Sequence, residues 1–194
     1  MNILFIDTET TGLVAGKHSI IELACAHYKD GKLQSTFARK FVGNEVILDM
    51  GALKVNKTNT AALVERGKAC SESKAVFEFM DYLLTLDNKD LHVCGHNVHF
   101  DVSHVKALLA KYSIEGWDQV VSYRQLDTCD RARMLIEAGI ITQEMGGRGA
   151  GLKTIAAALG VTVDDSKLHG AEYDVELCAQ VYFKMIEVLR NRRG

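Results

Sequence analysis

In the stretch FIDTETTGL, the acids Asp7 and Glu9 follow the run Asn2 to Ile6, whose β-branched and aromatic residues suit a buried strand. In extended backbone, residues two apart project from the same face, so both carboxylates share one side at the strand's end. Like charges held that close raise each other's pKa, and the pairing costs stability unless a cation lies between them. Two more acids sit where apolar residues are expected. Asp101 lies on the stripe Val105, Leu108, Leu109 and Tyr112 of DVSHVKALLAKY. Asp174 leads the stripe Leu177, Cys178, Val181, Met185 and Leu189 of EYDVELCAQVYFKMIEVL. Taken singly, Asp101 could be a helix N-cap and Asp174 a favourable charge in a first helical turn. Taken together, four carboxylates are hard oxygen ligands suited to Mg2+ or Mn2+, and such sites commonly hold two ions for phosphoryl chemistry.

These acids must be carried by a framework that brings them together. Residues 2 to 7, 18 to 29 and 33 to 42 read as strands, with Lys29-Asp30-Gly31-Lys32 turning the last two into a hairpin. Further strands are expected at 90 to 95 and 119 to 126. Helical spacing marks 57 to 66, 72 to 86, 102 to 112, 128 to 139, 152 to 159 and 172 to 190. The order implies an α/β fold with a mixed five-stranded sheet and helices packed on its faces. With 194 residues and no proline-rich linker, residues 1 to 194 are expected to form a single domain. There is no proline at all.

Composition narrows the function classes. The chain is 47% hydrophobic and 25% charged, with no apolar run of membrane-spanning length and no secretory leader, so a cytoplasmic location without membrane is expected. The five cysteines form no CxxC pair and read as reduced core thiols. A net charge of -2 means that any nucleic-acid contact depends on local basic groups or metal rather than a general positive field.

FIDTETTGL, GHNVHFD and HGAEYDVELCAQVY, in that order, resemble the three motifs of the DEDDh, or DnaQ-like, exonuclease family, which includes the proofreading epsilon subunit of DNA polymerase III and ribonuclease T. The resemblance runs nearly the whole chain and implies an RNase H-like fold. It makes Asp7, Glu9, Asp101 and Asp174 the ligands of two Mg2+ or Mn2+ ions and His169 the general base. His169 stands five residues before Asp174, as the histidine class requires; the sister class has a tyrosine where this chain has Gly170. Thr10, Leu13 and Phe100 match positions that hold the 3'-terminal nucleotide, with Leu13 as an apolar wedge; for Leu13 and Phe100 the alternative is ordinary core. Ala52 and Asn56 match sugar-contacting positions, although Asn56 replaces a histidine and Gly51 supplies no carboxylate.

The activity implied is 3'-5' exonuclease action on single-stranded DNA or RNA, releasing nucleoside 5'-monophosphates. The alternatives are an RNA-trimming ribonuclease and a non-catalytic nucleic-acid-binding module; all five catalytic residue types together favour the enzyme. DNA repair or proofreading beside a polymerase or replication partner is a further implication; with the sequence ending at the Asp174 helix and no polymerase-tethering extension in it, a free-standing nuclease, or one recruited through another surface, is expected over a tethered proofreader. Other motifs carry less. GGRGAGLKT (146 to 154) fails as a P-loop because Leu152 separates Gly151 from Lys153, which leaves Arg148 and Lys153 as candidate phosphate contacts. His92, Cys94, His96, His99 and His104 lack the paired spacing of a zinc site, and His96 with Asn97 is expected to orient the loop before Asp101. The terminal RNRRG reads as a solvated helix end.

Overall fold

The computed structural model of the chain describes residues 1–43, 47, 49, 69–87, 89–142 and 151–192. The helix expected at 57 to 66, together with Ala52, Asn56 and Arg148, lies outside the described residues.

Among the described residues, the strands are β1 (Asn2–Thr10), β2 (Ile20–Lys29), β3 (Lys32–Val42), β4 (Cys70–Ser71), β5 (Leu91–Gly95) and β6 (Ser122–Asp127). The helices are α1 (Glu72–Thr85), α2 (Val98–Lys111), α3 (Trp117–Val120), α4 (Thr128–Glu137), α5 (Leu152–Ala158) and α6 (Ala171–Asn191). The sheet runs β4-β3-β2-β1-β5-β6. β1 is antiparallel to β2 and parallel to β5, so its C-terminal end lies where the sheet changes direction. The five expected strands are present, and the sixth is the two-residue edge β4, too short to leave a periodic signal.

The β2–β3 hairpin closes at Asp30 and Gly31, which have φ of 51° and 77°. Two successive left-handed residues match the right-handed twist of the strands, as the Asp-Gly pair foretold. On β1, alternation divides the core in two. Leu4 and Ile6 pack with α1 and α2 through Val76, Phe79, Leu83, Val102 and Val105. Ile3 and Phe5 face Val175, Cys178 and Tyr182 of α6. α6 is covered on its far side by α4 and α5 through Leu135, Ile155, Leu177 and Val181. Helices therefore cover both faces of the sheet, as expected of the RNase H-like class. Among the described residues no helix is long and apolar enough to cross a membrane.

Three boundaries shift in ways that bear on function. β1 continues to Thr10, so Glu9 lies within the strand rather than past it. α2 begins at Val98, not 102, which places Asp101 inside the first turn; the residue in the N-cap position is Asn97, so Asp101 is not the cap. Residues 119 and 120, expected to open a strand, instead belong to the short α3, closed by N–H bonds from Val120 to Gly116 and from Val121 to Trp117. Gly116 has φ 108°, a turn that apolar periodicity does not report.

Candidate active site

Asp7 and Glu9 project from the face of β1 that Ile3 and Phe5 present to α6. Asp7 stands opposite Ala24, and Ala24 opposite Ala38, so small residues flank it across the sheet. Burial pushes the Asp7 carboxyl well above the carboxylate range, and the charges of Asp101, Asp174 and Glu9 push it further. Glu9, 6% exposed, is pushed up to about 8 by burial and then by Asp174, Glu22 and Asp101.

Asp101 approaches from the other side of β1. The pairing of β1 with β5 ends at Phe5 and Cys94, and beyond it the Thr8 N–H donates to Asp101 Oδ1 at 2.9 Å. The Thr8 hydroxyl donates to the same oxygen at 2.7 Å. Burial lifts Asp101 to about 7 against the pull of these two bonds. Asp174 lies in the first turn of α6, and its Oδ2 accepts the His169 N–H at 3.2 Å. Its Oδ1 is buried without a hydrogen-bond partner. Burial raises the Asp174 carboxyl to about 6, with the His169 N–H bond and the His169 charge opposing.

His169 is exposed and has φ 67°, a left-handed conformation uncommon outside glycine. Glu9, His169 and Asp174 offer ligand atoms that all lie within 4.8 Å of one another. A divalent cation fits this donor set: it would offset the mutual repulsion of the carboxyls and give the buried Asp174 Oδ1 a partner. Asp7 joins the three electrostatically, and Asp101 reaches it across the strand. The structure thus brings all five expected residues to one end of β1, with His169 closer to Glu9 and Asp174 than a ligand set of acids alone implies.

A family model described as exonuclease matches residues 4–182. The chain belongs to this exonuclease family. Membership makes the domain a 3'-5' exonuclease of the hydrolase class. It is 26% identical over 188 residues to the DNA polymerase III subunit epsilon of Treponema pallidum (strain Nichols), covering 97% of this chain and 78% of that protein. It is 25% identical over 195 residues to the DNA polymerase III PolC-type of Pediococcus pentosaceus, covering 98% of this chain but 12% of that protein. The fold matches the zinc-ion-bound complex of E. coli exonuclease I with single-stranded DNA at a TM-score of 0.76 and 17% identity. That match covers 98% of this chain and 41% of the other, so the chain spans well under half of the exonuclease I chain.

In the exonuclease domain, Leu13 is 75% exposed, which removes the core alternative for it. Thr10 is buried, and its Oγ1 donates to the Gly12 carbonyl at 2.7 Å, closing the turn that presents Leu13. Phe100 is half-buried and packs on His104, ring centroids 4.3 Å apart. The other histidines have separate uses: His96 Nδ1 lies 3.0 Å from Thr128 Oγ1, and His104 Nδ1 lies 3.0 Å from the Phe100 carbonyl. None of them belongs to the close group of Glu9, His169 and Asp174. Lys153 is held by Asp165 at 2.8 Å.

Sequence reasoning missed three supporting residues. Thr8 clamps Asp101. Asp127 accepts N–H bonds from Asn97 and Val98 at the start of α2 and from Cys129 and Asp130 at the start of α4. Glu22, 5% exposed and opposite Glu9 in the sheet, is a further buried acid beside the cluster, detectable as a charge between Ile21 and Leu23.

Proposed function

We propose that residues 1 to 194 form one metal-dependent 3'-5' exonuclease domain that trims single-stranded nucleic acid and releases nucleoside 5'-monophosphates. The observation that carries this reading is the buried, unpartnered Asp174 Oδ1 among carboxyls whose pKa values burial and mutual repulsion have raised. Asp7, Glu9, Asp101 and Asp174 would hold two Mg2+ or Mn2+ ions, which when bound supply Lewis-acid stabilisation of charge on the phosphate and the leaving 3'-oxygen. His169 stands at the exposed rim, where its imidazole can reach solvent and would take the proton from attacking water. Its backbone bond to Asp174 ties the base to a ligand and fixes their relative position. Leu13, solvent-exposed on a braced turn, would wedge against the last bases, and Phe100 would pack on the terminal nucleotide.

The single-stranded DNA and zinc of the exonuclease I complex support both the substrate class and the use of a divalent cation. The names of the epsilon-subunit and PolC-type relatives support action beside a DNA polymerase; proofreading or repair in the cytoplasm is the setting this reading implies. The test is digestion of matched 5'-labelled single-stranded DNA and RNA with Mg2+ or Mn2+. Stepwise shortening from a free 3' end is expected, abolished by excess EDTA and by a 3' block. Equal cleavage of blocked and free ends, or full activity in EDTA, overturns the reading.

A further inference from the structure

Two charged side chains beside the acids take no part in the mechanism above: Glu22 on β2 and Lys40 on β3. Glu9 stands directly opposite Glu22, and Glu22 directly opposite Lys40. Residues paired in this way share a sheet face, so the three form one row on the α6 side. At a strand spacing of about 4.8 Å, the Lys40 backbone lies roughly 10 Å from that of Glu9. The row has a direction, negative at the acid cluster and positive at its outer end.

Lys40 Nζ leans back along this row to within 3.4 Å of Glu22 Oε2, and the lysine side chain is 51% exposed. Glu22 Oε2 makes no hydrogen bond. An ammonium has three donors, and a separation of 3.4 Å engages them loosely, leaving its solvent side open. Among the described residues Lys40 is also the cation whose charge works against burial on both Glu9 and Glu22. A phosphodiester chain entering a domain of net charge -2 meets repulsion from the carboxylates it must approach, so a local cation at the edge of the cluster has a clear use.

We propose that Lys40 holds a backbone phosphate of the single-stranded substrate beside the one being cleaved, with Glu22 as the buried counter-charge that aims its ammonium. This rests on the exonuclease reading. Neutralising one phosphate of a single strand contributes about 0.7 to the slope of log K against log salt. The experiment is fluorescence anisotropy of a 5'-labelled single-stranded DNA across a KCl series at fixed Ca2+, which occupies carboxylate sites with looser geometry than Mg2+. Lys40→Met should lower the slope by about 0.7 and weaken binding at low salt, whereas Lys40→Arg should restore both. Removing the cation strands Glu22, so the double variant Glu22→Gln/Lys40→Met is measured with its melting temperature; its slope should be reduced while the fold is retained. A folded double variant with the wild-type slope, from a wild type that binds and trims DNA, overturns the phosphate contact alone. A wild type that neither binds nor trims overturns the exonuclease reading and this contact with it.

Discussion

Replacing Asp174 with Asn removes one charge from the cluster and keeps its shape. The Asn carbonyl can still accept the His169 N–H, and its amide donors enter the space where Asp174 Oδ1 now lacks a partner. Asp174 is raised from an ordinary 3.8 to about 6, so folding favours its protonated form. A carboxyl raised in this way contributes stability that is fully present below about pH 4 and is lost as pH rises through about 6. Two pKa units correspond to about 3 kcal/mol, and because Asp174 is only partly buried, solvent screening reduces this to roughly 1–3 kcal/mol. For a domain of this size, that shifts the melting temperature by roughly 3–9 °C. In EDTA at pH 8, Asp174→Asn should therefore melt higher than wild type by that amount, with the gap closing towards pH 4.5. Millimolar Mn2+ should raise the wild-type melting temperature, because ions bind the folded cluster and not the dispersed chain, and should raise the variant less. Activity should be almost absent. A lower apo melting temperature at pH 8 would mean that Asp174 is a structural anchor, and an undiminished Mn2+ shift would place the ion elsewhere.

His169→Ala should reduce turnover by roughly 100-fold or more, typical of losing a general base, while calorimetry finds Mn2+ binding nearly intact. Loss of the metal sites as well would make His169 a ligand, a role its proximity to Glu9 and Asp174 allows. Leu13→Ala should raise KM for single-stranded ends with little effect on the melting temperature, since the side chain is exposed; an unchanged KM refutes the wedge. Thr8→Val removes one of two donors to Asp101 and should cost roughly 1–2 kcal/mol. That loss should be largest above pH 7, where the Asp101 carboxylate is charged, and an equal loss at pH 5 would assign it to packing.

The acids were legible because each breaks a pattern. A carboxylate on a strand face or helix stripe that should be apolar is visible in one dimension, and Asp7, Glu9, Asp101 and Asp174 all announce themselves this way. The hairpin was legible because Asp30-Gly31 is local chemistry. Thr8, by contrast, has no anomalous neighbours; its importance arises only because β5 stops at Gly95 and leaves the Thr8 N–H to a helix that starts at Val98. Asp127 reads as a helix cap for α4, but its second set of bonds, to Asn97 and Val98, joins parts of the chain separated by about thirty residues. Lys40 is one of many surface lysines until the register aligns it with Glu22 and Glu9. The short α3 was not legible because the β-branched pair Val120 and Val121 suits a strand, while the helical spacing of Trp117, Val120 and Val121 covers only a single turn.

The unequal lengths of β1 and β5 divide one strand into two mechanical zones. From Asn2 to Phe5, β1 is gripped by partners on both edges. From Asp7 to Thr10 it keeps β2 on one side, while the other meets the Asp101 carboxylate through Thr8. The acids thus ride on the compliant half of an otherwise rigid beam. If ions bind as proposed, Asp7 and Glu9 can adjust to them without disturbing the packing of Ile3, Leu4 and Phe5. The cost of closing the site then falls on a few backbone torsions rather than on the core.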